Sequence, residues 1–126
     1  MTKYDLEDRL IAFSAQIIEI AESVINSYTG NQLSTQLLRS GTSVSLNYGE
    51  AQSAESRKDF IHKIKLILKE LRETNICLKL IKNRHLVNNV AILEKIMIEN
   101  NELISIFVKS IQTARNNDLD EKKINF

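Results

Sequence analysis

Four polar side chains fall on one arc of a predicted helix and could serve either a binding site or a structural network. They recur at spacings of four, four and three residues within positions 37–50: Arg39, Ser43, Asn47 and Glu50. A helix turns by about 100° per residue, so this spacing places them on one narrow face. Small and apolar residues flank that face on both sides. The flanks favour a polar network between helices or subunits over a ligand or catalytic site.

Two glutamates of a later segment, Glu70 and Glu73, could supply carboxylates to Arg39. A guanidinium binds carboxylates in a bidentate manner and can fix the register of two helices. Both glutamates lie between apolar residues on their own arc, which is unusual for a freely solvated face. We therefore predict a structural polar network of six residues: Arg39, Ser43, Asn47, Glu50, Glu70 and Glu73.

A basic stripe on the third predicted helix is the second candidate for chemistry. Residues 57–85 carry nine Lys/Arg and three Asp/Glu, a net +6, whereas residues 1–56 carry −4 and residues 86–126 carry −1. Five basic side chains share one arc of the helix: Lys58, Lys65, Lys69, Arg72 and Lys79. Such a stripe can follow the phosphates of RNA or DNA, and the alternative is an ordinary solvated face. No aromatic residue interleaves with it, so base stacking is not expected.

Two histidine patterns match fragments of known sites without completing them. Asp59 and His62 have the spacing of half a di-iron bundle site, but His85 has no acid three residues before it to form the second half. Arg57 and His62 match the loose spacing of helical RNA-cleaving domains of the HEPN type, yet they point about 140° apart on a regular helix. No catalytic residue, metal site, cofactor or small-molecule substrate is therefore predicted, and the protein is not expected to be an enzyme.

The composition favours one helical domain in the cytoplasm. The chain has 126 residues, no proline and three glycines, which are too few turn formers for a β-sandwich or barrel. A net charge of +1 gives no global signal for nucleic acid or membrane. The single cysteine, Cys77, cannot form an intrachain disulfide and is expected to pack as a small apolar residue. The amino-terminal residues do not resemble a signal peptide, and no apolar run reaches the roughly 18 residues that span a bilayer.

Four amphipathic segments joined by short connections predict an all-α, antiparallel up-down-up-down four-helix bundle. The predicted helices cover residues 4–28, 31–52, 57–84 and 89–115, and residues 116–126 form a polar tail, either mobile or a short extension. The apolar arcs of the first three helices are wider than one neighbour requires, which is compatible with a homo-oligomer.

Glycine and capping residues mark the expected helix ends. Gly30 is expected to end the first helix in a left-handed conformation. Ser56 is expected to cap the third helix, and Asn88 or Asn89 the fourth. Two further glycines inside the second helix, Gly41 and Gly49, indicate close approach of another backbone, unless Gly49 starts the turn.

The second helix resembles the signature of a small bacterial four-helix-bundle family, whose genes were first noticed in intervening sequences of 23S rRNA genes. The family's Arg, Ser-Ile/Val, Asn and Glu correspond to Arg39, Ser43-Val44, Asn47 and Glu50, and its Leu-x-Glu-Leu-x-Glu-like stretch to residues 68–73. The similarity covers roughly residues 4–115. The chain departs from the pattern at Ala51, where many members have glycine, and at Ser45-Leu46, where many have proline and a small residue.

The resemblance implies an all-helical protomer that assembles into a homopentamer. A related group, the accessory proteins of diversity-generating retroelements, shares the bundle, is strongly basic and binds nucleic acid and a reverse transcriptase. This chain is not strongly basic overall. The sequence thus favours a structural or interaction protein whose partner is itself, with no membrane partner. The alternative is a nucleic-acid-binding or ribonucleoprotein adaptor that uses the basic stripe.

Overall fold

Four antiparallel helices account for most of the chain in this computed structural model, which describes the backbone of residues 3–124 and the side chains of residues 5–119. The helices are α1 (Lys3–Ser23), α2 (Tyr28–Gln52), α3 (Arg57–Asn83) and α4 (Val90–Ile124). Each helix packs against the next along the chain, and α1 touches α4 more lightly. No strand occurs between residues 3 and 124. The predicted all-α four-helix bundle is confirmed.

The core consists of one apolar stripe from each helix. Its fully buried large side chains include Phe13, Ile17, Leu37, Ile64, Leu71, Leu78, Leu93 and Phe107. The rings of Tyr48 in α2 and Phe107 in α4 meet edge to face across the bundle, with centroids 6.1 Å apart. Burying one such side chain contributes about 1.5–3 kcal/mol, so this layer supplies most of the favourable free energy of folding.

Helix α1 approaches α2 most closely at Gly41. A Cβ atom at this position would lie 2.5 Å from Cγ2 and 3.0 Å from Cβ of Ile17, closer than packed carbon atoms normally come. The Ser14 hydroxyl donates to the Gly41 carbonyl at 2.8 Å, and the Ser45 hydroxyl donates to the Leu10 carbonyl at 3.0 Å. The close approach expected at Gly41 is therefore present, and hydroxyl groups bind the backbone where the helices touch.

Gly49 does not share this role. Nothing lies within 4 Å of a Cβ atom built at Gly49, and the residue is exposed. Because α2 continues to Gln52, Gly49 does not start the turn either. Neither expectation for Gly49 holds within the protomer.

The connection between α1 and α2 lies earlier than the sequence pattern indicates. Helix α1 ends at Ser23, and α2 begins at Tyr28. Ser27 has extended backbone angles, and its hydroxyl accepts a hydrogen bond from the Gly30 amide at 3.0 Å. This serine cap starts α2 three residues before the expected position, so Gly30 lies in the first helical turn. The left-handed conformation expected for Gly30 is wrong, since none of the chain's glycines has a positive φ.

The caps of the other two helices agree with prediction. The Ser56 hydroxyl accepts from the Asp59 amide at 3.0 Å, and Asn89 Oδ1 accepts from the Ile92 amide at 3.1 Å. Between these helices, His85 adopts a positive φ of 54°, which the sequence pattern does not indicate.

Helix α4 continues through most of the expected polar tail. It reaches Ile124, and only residues 125–126 of the tail lie outside the described part of the chain. No glycine or proline interrupts residues 90–124, so nothing in the sequence stops the helix at residue 115. Asp118 lies 3.7 Å from the Arg57 guanidinium, which joins this extension to the first turn of α3.

Two buried polar contacts join neighbouring helices at positions where the sequence analysis predicts none. The hydroxyl oxygens of Ser40 in α2 and Thr74 in α3 are 2.8 Å apart. In α4, Asn100 is fully buried, and its Nδ2 donates to the Leu71 carbonyl of α3 at 3.0 Å. Its Oδ1 is buried and has no hydrogen-bond partner among residues 5–119. Asn100 thereby fixes the position of α4 against α3.

Candidate functional site

Arg39 reaches across the contact between α2 and α3 to both expected glutamates. Its Nη1 donates to Glu70 at 3.2 Å, and its Nη2 donates to Glu73 at 2.7 Å. The Arg39 side chain is 59% exposed, so the ion pairs lie on the surface of the protomer rather than inside it. Exposed pairs of this kind contribute about 0–1 kcal/mol. Within one copy, Arg39 therefore links α2 to α3 at the surface.

The other members of the predicted network belong to separate contacts. Asn47 Nδ2 donates to the carbonyl and the hydroxyl of Ser43, one turn earlier in α2, at 3.0 and 3.1 Å. Glu50 pairs with Lys63 of α3. Because α3 runs antiparallel to α2, residues one turn apart in α2 face different turns of α3. The shared arc is real, but it does not join the six residues into one network in the protomer.

The Glu70 carboxyl is perturbed by its surroundings. Its side chain is only 12% exposed, and burial raises its pKa above the usual range. The nearby Glu73 charge raises the pKa further, and Arg39 lowers it. Keeping the Glu70 carboxyl ionised therefore costs the folded state free energy.

Glu70→Gln is expected to change how stability depends on pH. A carboxyl whose pKa is raised by folding stabilises the native state when protonated, and this contribution is lost as the pH rises through the folded-state pKa. The wild type should therefore lose free energy of unfolding relative to Glu70→Gln as the pH rises above 4.5, the ordinary pKa of a glutamate. Urea unfolding across this range measures the difference. Parallel curves for the two proteins would contradict the burial of a charge at Glu70.

The predicted basic stripe lies entirely on the outer side of α3. All five of its members are exposed, and none forms an ion pair with another side chain of residues 5–119: Lys58, Lys65, Lys69, Arg72 and Lys79. Two large apolar side chains, Ile76 and Leu80, are exposed among them. We call this surface the basic face: Lys65, Lys69, Arg72, Lys79, Ile76 and Leu80.

A shallow groove of about 840 Å³ runs between α2 and α3 beside the basic face. Leu33 of α2 lines one side, and Ile76 and Leu80 of α3 line the other. Cys77 lies at the base of the groove, where burial raises the pKa of its thiol. A thiol with a raised pKa is a poor nucleophile, so Cys77 acts as a packing residue.

The outer side of α1 and α2 carries charges of the opposite sign. Four exposed apolar side chains lie there: Ile11, Ile18, Leu38 and Leu46. Helix α1 also carries four exposed acids: Glu7, Asp8, Glu19 and Glu22. We call these eight residues the acidic face. The described basic side chains of these two helices do not neutralise these acids. Arg9 pairs with Glu99 and Glu102 of α4, and Arg39 pairs with glutamates of α3.

The HEPN-like pair borders a small groove. Arg57 and His62 line the same groove, of about 500 Å³, at the start of α3. Arg57 belongs to the first turn, and its guanidinium is directed to Asp118. The arginine is thus engaged in holding the end of α4.

The described residues show neither a cluster of metal ligands nor a membrane span. Within residues 5–119, no three His, Cys, Asp or Glu side chains converge as metal ligands would. None of the helices, over their described residues, combines the length and apolar character needed to cross a bilayer.

The fold and its surfaces define a class of small all-helical bundles whose exposed helix faces combine apolar and charged side chains. Residues 3–109 match the 23S rRNA-intervening sequence protein family, and the chain belongs to that family. It is similar to a crystal structure of a protein of unknown function from the S23 ribosomal protein family of Bacteroides thetaiotaomicron VPI-5482. The two are 30% identical with a TM-score of 0.80, over 89% of this chain and 99% of that one. The comparison with curated proteins gave no match. The family resemblance of the second helix is confirmed.

Proposed function

We propose that this protein is a non-enzymatic interaction protein that assembles with copies of itself, most simply as the homopentamer implied by the family resemblance. The observation that carries the proposal is the exposure of large apolar side chains on two faces of one small protomer. Leu46 is 70% exposed, Ile11 is 55% exposed and Ile76 is 55% exposed. Groups of exposed large apolar side chains on one face mark interaction sites in proteins that otherwise bury such residues.

The polar residues of α2 support a structural role over a catalytic one. Arg39 is held by two glutamates, Asn47 is bound to its own helix, and Glu50 is paired with Lys63. Each side chain is already engaged by a neighbouring residue, as expected for groups that position helices. The cytoplasmic location expected from the composition is part of this proposal.

The test of self-assembly is the mass of the purified chain by light scattering after size exclusion. The protomer mass is 14.4 kDa, and we expect a particle several times heavier. A particle of protomer mass would contradict the proposal.

A second candidate function is that of a nucleic-acid-binding adaptor. Five exposed basic side chains without acidic partners among the described residues lie on one side of α3. Phosphate groups bind such a stripe through charge alone, so the interaction would be independent of sequence and weakened by salt.

Replacing Lys65, Lys69 and Arg72 together by Glu should abolish RNA binding if this second function operates. Wild-type affinity should fall steeply with salt, and each lost phosphate contact should reduce the slope of log affinity against log salt by about 1. Fluorescence anisotropy with a labelled RNA measures both effects. The matched control reverses three exposed basic residues of α4: Lys95, Lys109 and Arg115. Equal loss in both variants, or none in either, would exclude the α3 stripe as a nucleic-acid site.

A further inference from the structure

Hydrogen bonds across the bundle show which residues of α1 and α3 lie at the same height. Ser14 of α1 donates to the Gly41 carbonyl of α2, and the adjacent Ser40 meets Thr74 of α3. Ser14 and Thr74 are therefore level along the bundle axis. Because α1 and α3 run in the same direction, each residue of α1 lies level with the residue sixty positions later in α3.

The acidic and basic faces match in this register. Glu7 is level with position 67, between Lys65 and Lys69. Glu19 is level with Lys79. The apolar residues match as well, since Ile18 is level with position 78, between Ile76 and Leu80. Glu7, Asp8 and Glu19 therefore lie within two positions of a base of the other face, whereas Glu22 is level with Lys82, which lies outside that face and pairs with Glu94.

The two faces lie on different helices of the bundle. The acidic face spans α1 and α2, and the basic face lies on α3 beside its groove with α2. They cannot meet within one copy, because the core of the bundle separates α1 from α3. A second copy rotated about an axis parallel to the helices brings them together without any shift along that axis.

We propose that the acidic face of one copy docks on the basic face of the next copy, so that α1 packs beside α3 of its neighbour. This inference rests on the proposed self-assembly and names its interface. Two different faces make a head-to-tail contact, which closes into a ring when the rotation permits.

The charged and the apolar side chains have separate roles in this interface. Isoleucines and leucines supply the apolar surface that becomes buried between copies, and the charge pairs around them select the partner face and its register. A nucleic acid would cover the basic face alone and leave the acidic, apolar face open. A second copy covers both faces with the same contact, and for this reason we favour it.

Charge reversal with rescue tests the interface. The first variant carries Glu7→Lys, Asp8→Lys and Glu19→Lys, and the second carries Lys65→Glu, Lys69→Glu and Lys79→Glu. Each brings like charges together, so each should reduce the wild-type assembly to the 14.4 kDa protomer at low salt. The combined six-residue variant restores opposite charges with their polarity exchanged, and it should assemble like the wild type. Reversal of Lys95, Lys109 and Arg115 on α4 is the matched control and should leave the assembly intact.

Light scattering gives the mass of each variant, and circular dichroism shows that the helices are retained. If the wild type assembles but neither triple variant dissociates, or if the combined variant fails to restore assembly, the interface is overturned while self-assembly stands. If the second variant loses RNA binding but keeps the assembly, the basic face belongs to nucleic acid and the interface is likewise overturned. A wild type of protomer mass overturns self-assembly itself, and the interface with it. If a triple variant loses helix content, its mass no longer tests the interface. The mass of the combined variant then decides whether the interface forms.

Discussion

Asn100→Asp should lower the free energy of unfolding by about 3–5 kcal/mol at neutral pH, the usual effect of an uncompensated buried charge. Asn100 is fully buried, and its Nδ2 is the group that donates to the Leu71 carbonyl. The introduced carboxylate would face that carbonyl oxygen inside the core, where the described residues offer no donor to Asn100 Oδ1. Its pKa should therefore be raised, and the loss of stability should shrink as the pH falls, because a protonated carboxyl can donate to Leu71.

The neighbouring residue provides the matched control for this substitution. Asn101 is exposed, so Asn101→Asp makes the same chemical change in contact with water and should shift stability by no more than about 0.5 kcal/mol. Urea unfolding followed by circular dichroism measures both variants. All proteins must be compared at one concentration, because assembly makes apparent stability depend on concentration. Equal effects at the two positions would show that Asn100 is not the buried link between α3 and α4.

Gly41→Ala and Gly49→Ala should change stability in opposite directions. At Gly41 the new Cβ atom would lie 2.5 Å from Cγ2 of Ile17, so α1 must move away from α2, at a cost of about 2 kcal/mol. At Gly49 nothing lies within 4 Å, so alanine only improves helix propensity and should stabilise the protomer by up to about 1 kcal/mol. Thermal unfolding of both variants beside the wild type measures the difference.

A second substitution separates the close approach from a general effect on α2. Ile17→Ala removes the two side-chain atoms nearest to the new Cβ, so the cost of Gly41→Ala should fall sharply in that background. Simple additivity of the two changes would contradict direct contact between Gly41 and Ile17.

The bundle itself was predictable because its helices carry regular apolar stripes and two of them carry recognisable caps. Ser56 and Asn89 cap as their sequence positions indicate. The end of α1 was mispredicted because the apolar period runs on through Val24 to Tyr28, although the chain turns before Ser27. Tyr28 is consequently 83% exposed at the start of α2 instead of buried at the end of α1. Periodicity shows which residues share a face, but it does not show where a local cap ends the helix.

The polar contacts were only partly predictable. The pairing of Arg39 with Glu70 and Glu73 follows from the arcs that these residues occupy. The same arcs cannot show that Glu50 faces Lys63, because that pairing depends on the relative positions of α2 and α3 along the bundle axis. The position of Asn100 between the core residues Ile96 and Leu103 was a usable signal, since its spacing of four and three residues places it in the core stripe.

The complementary faces required both the sequence and the structure. Segment charges of −4 and +6 already separate the first two helices from the third. The alignment of Glu19 with Lys79 became visible only when the Ser14–Gly41 and Ser40–Thr74 contacts fixed the heights of α1 and α3. Helix packing decides such alignments, and no local pattern encodes them.

Self-assembly is tested most directly by the mass of the native particle. Native mass spectrometry of the full chain, with and without RNA and over a dilution series, counts the copies and detects bound nucleic acid. Five copies of the 14.4 kDa chain give a particle of 72 kDa, and we expect this species to persist on dilution without RNA. A single 14.4 kDa species at every concentration would contradict self-assembly as the function of this bundle.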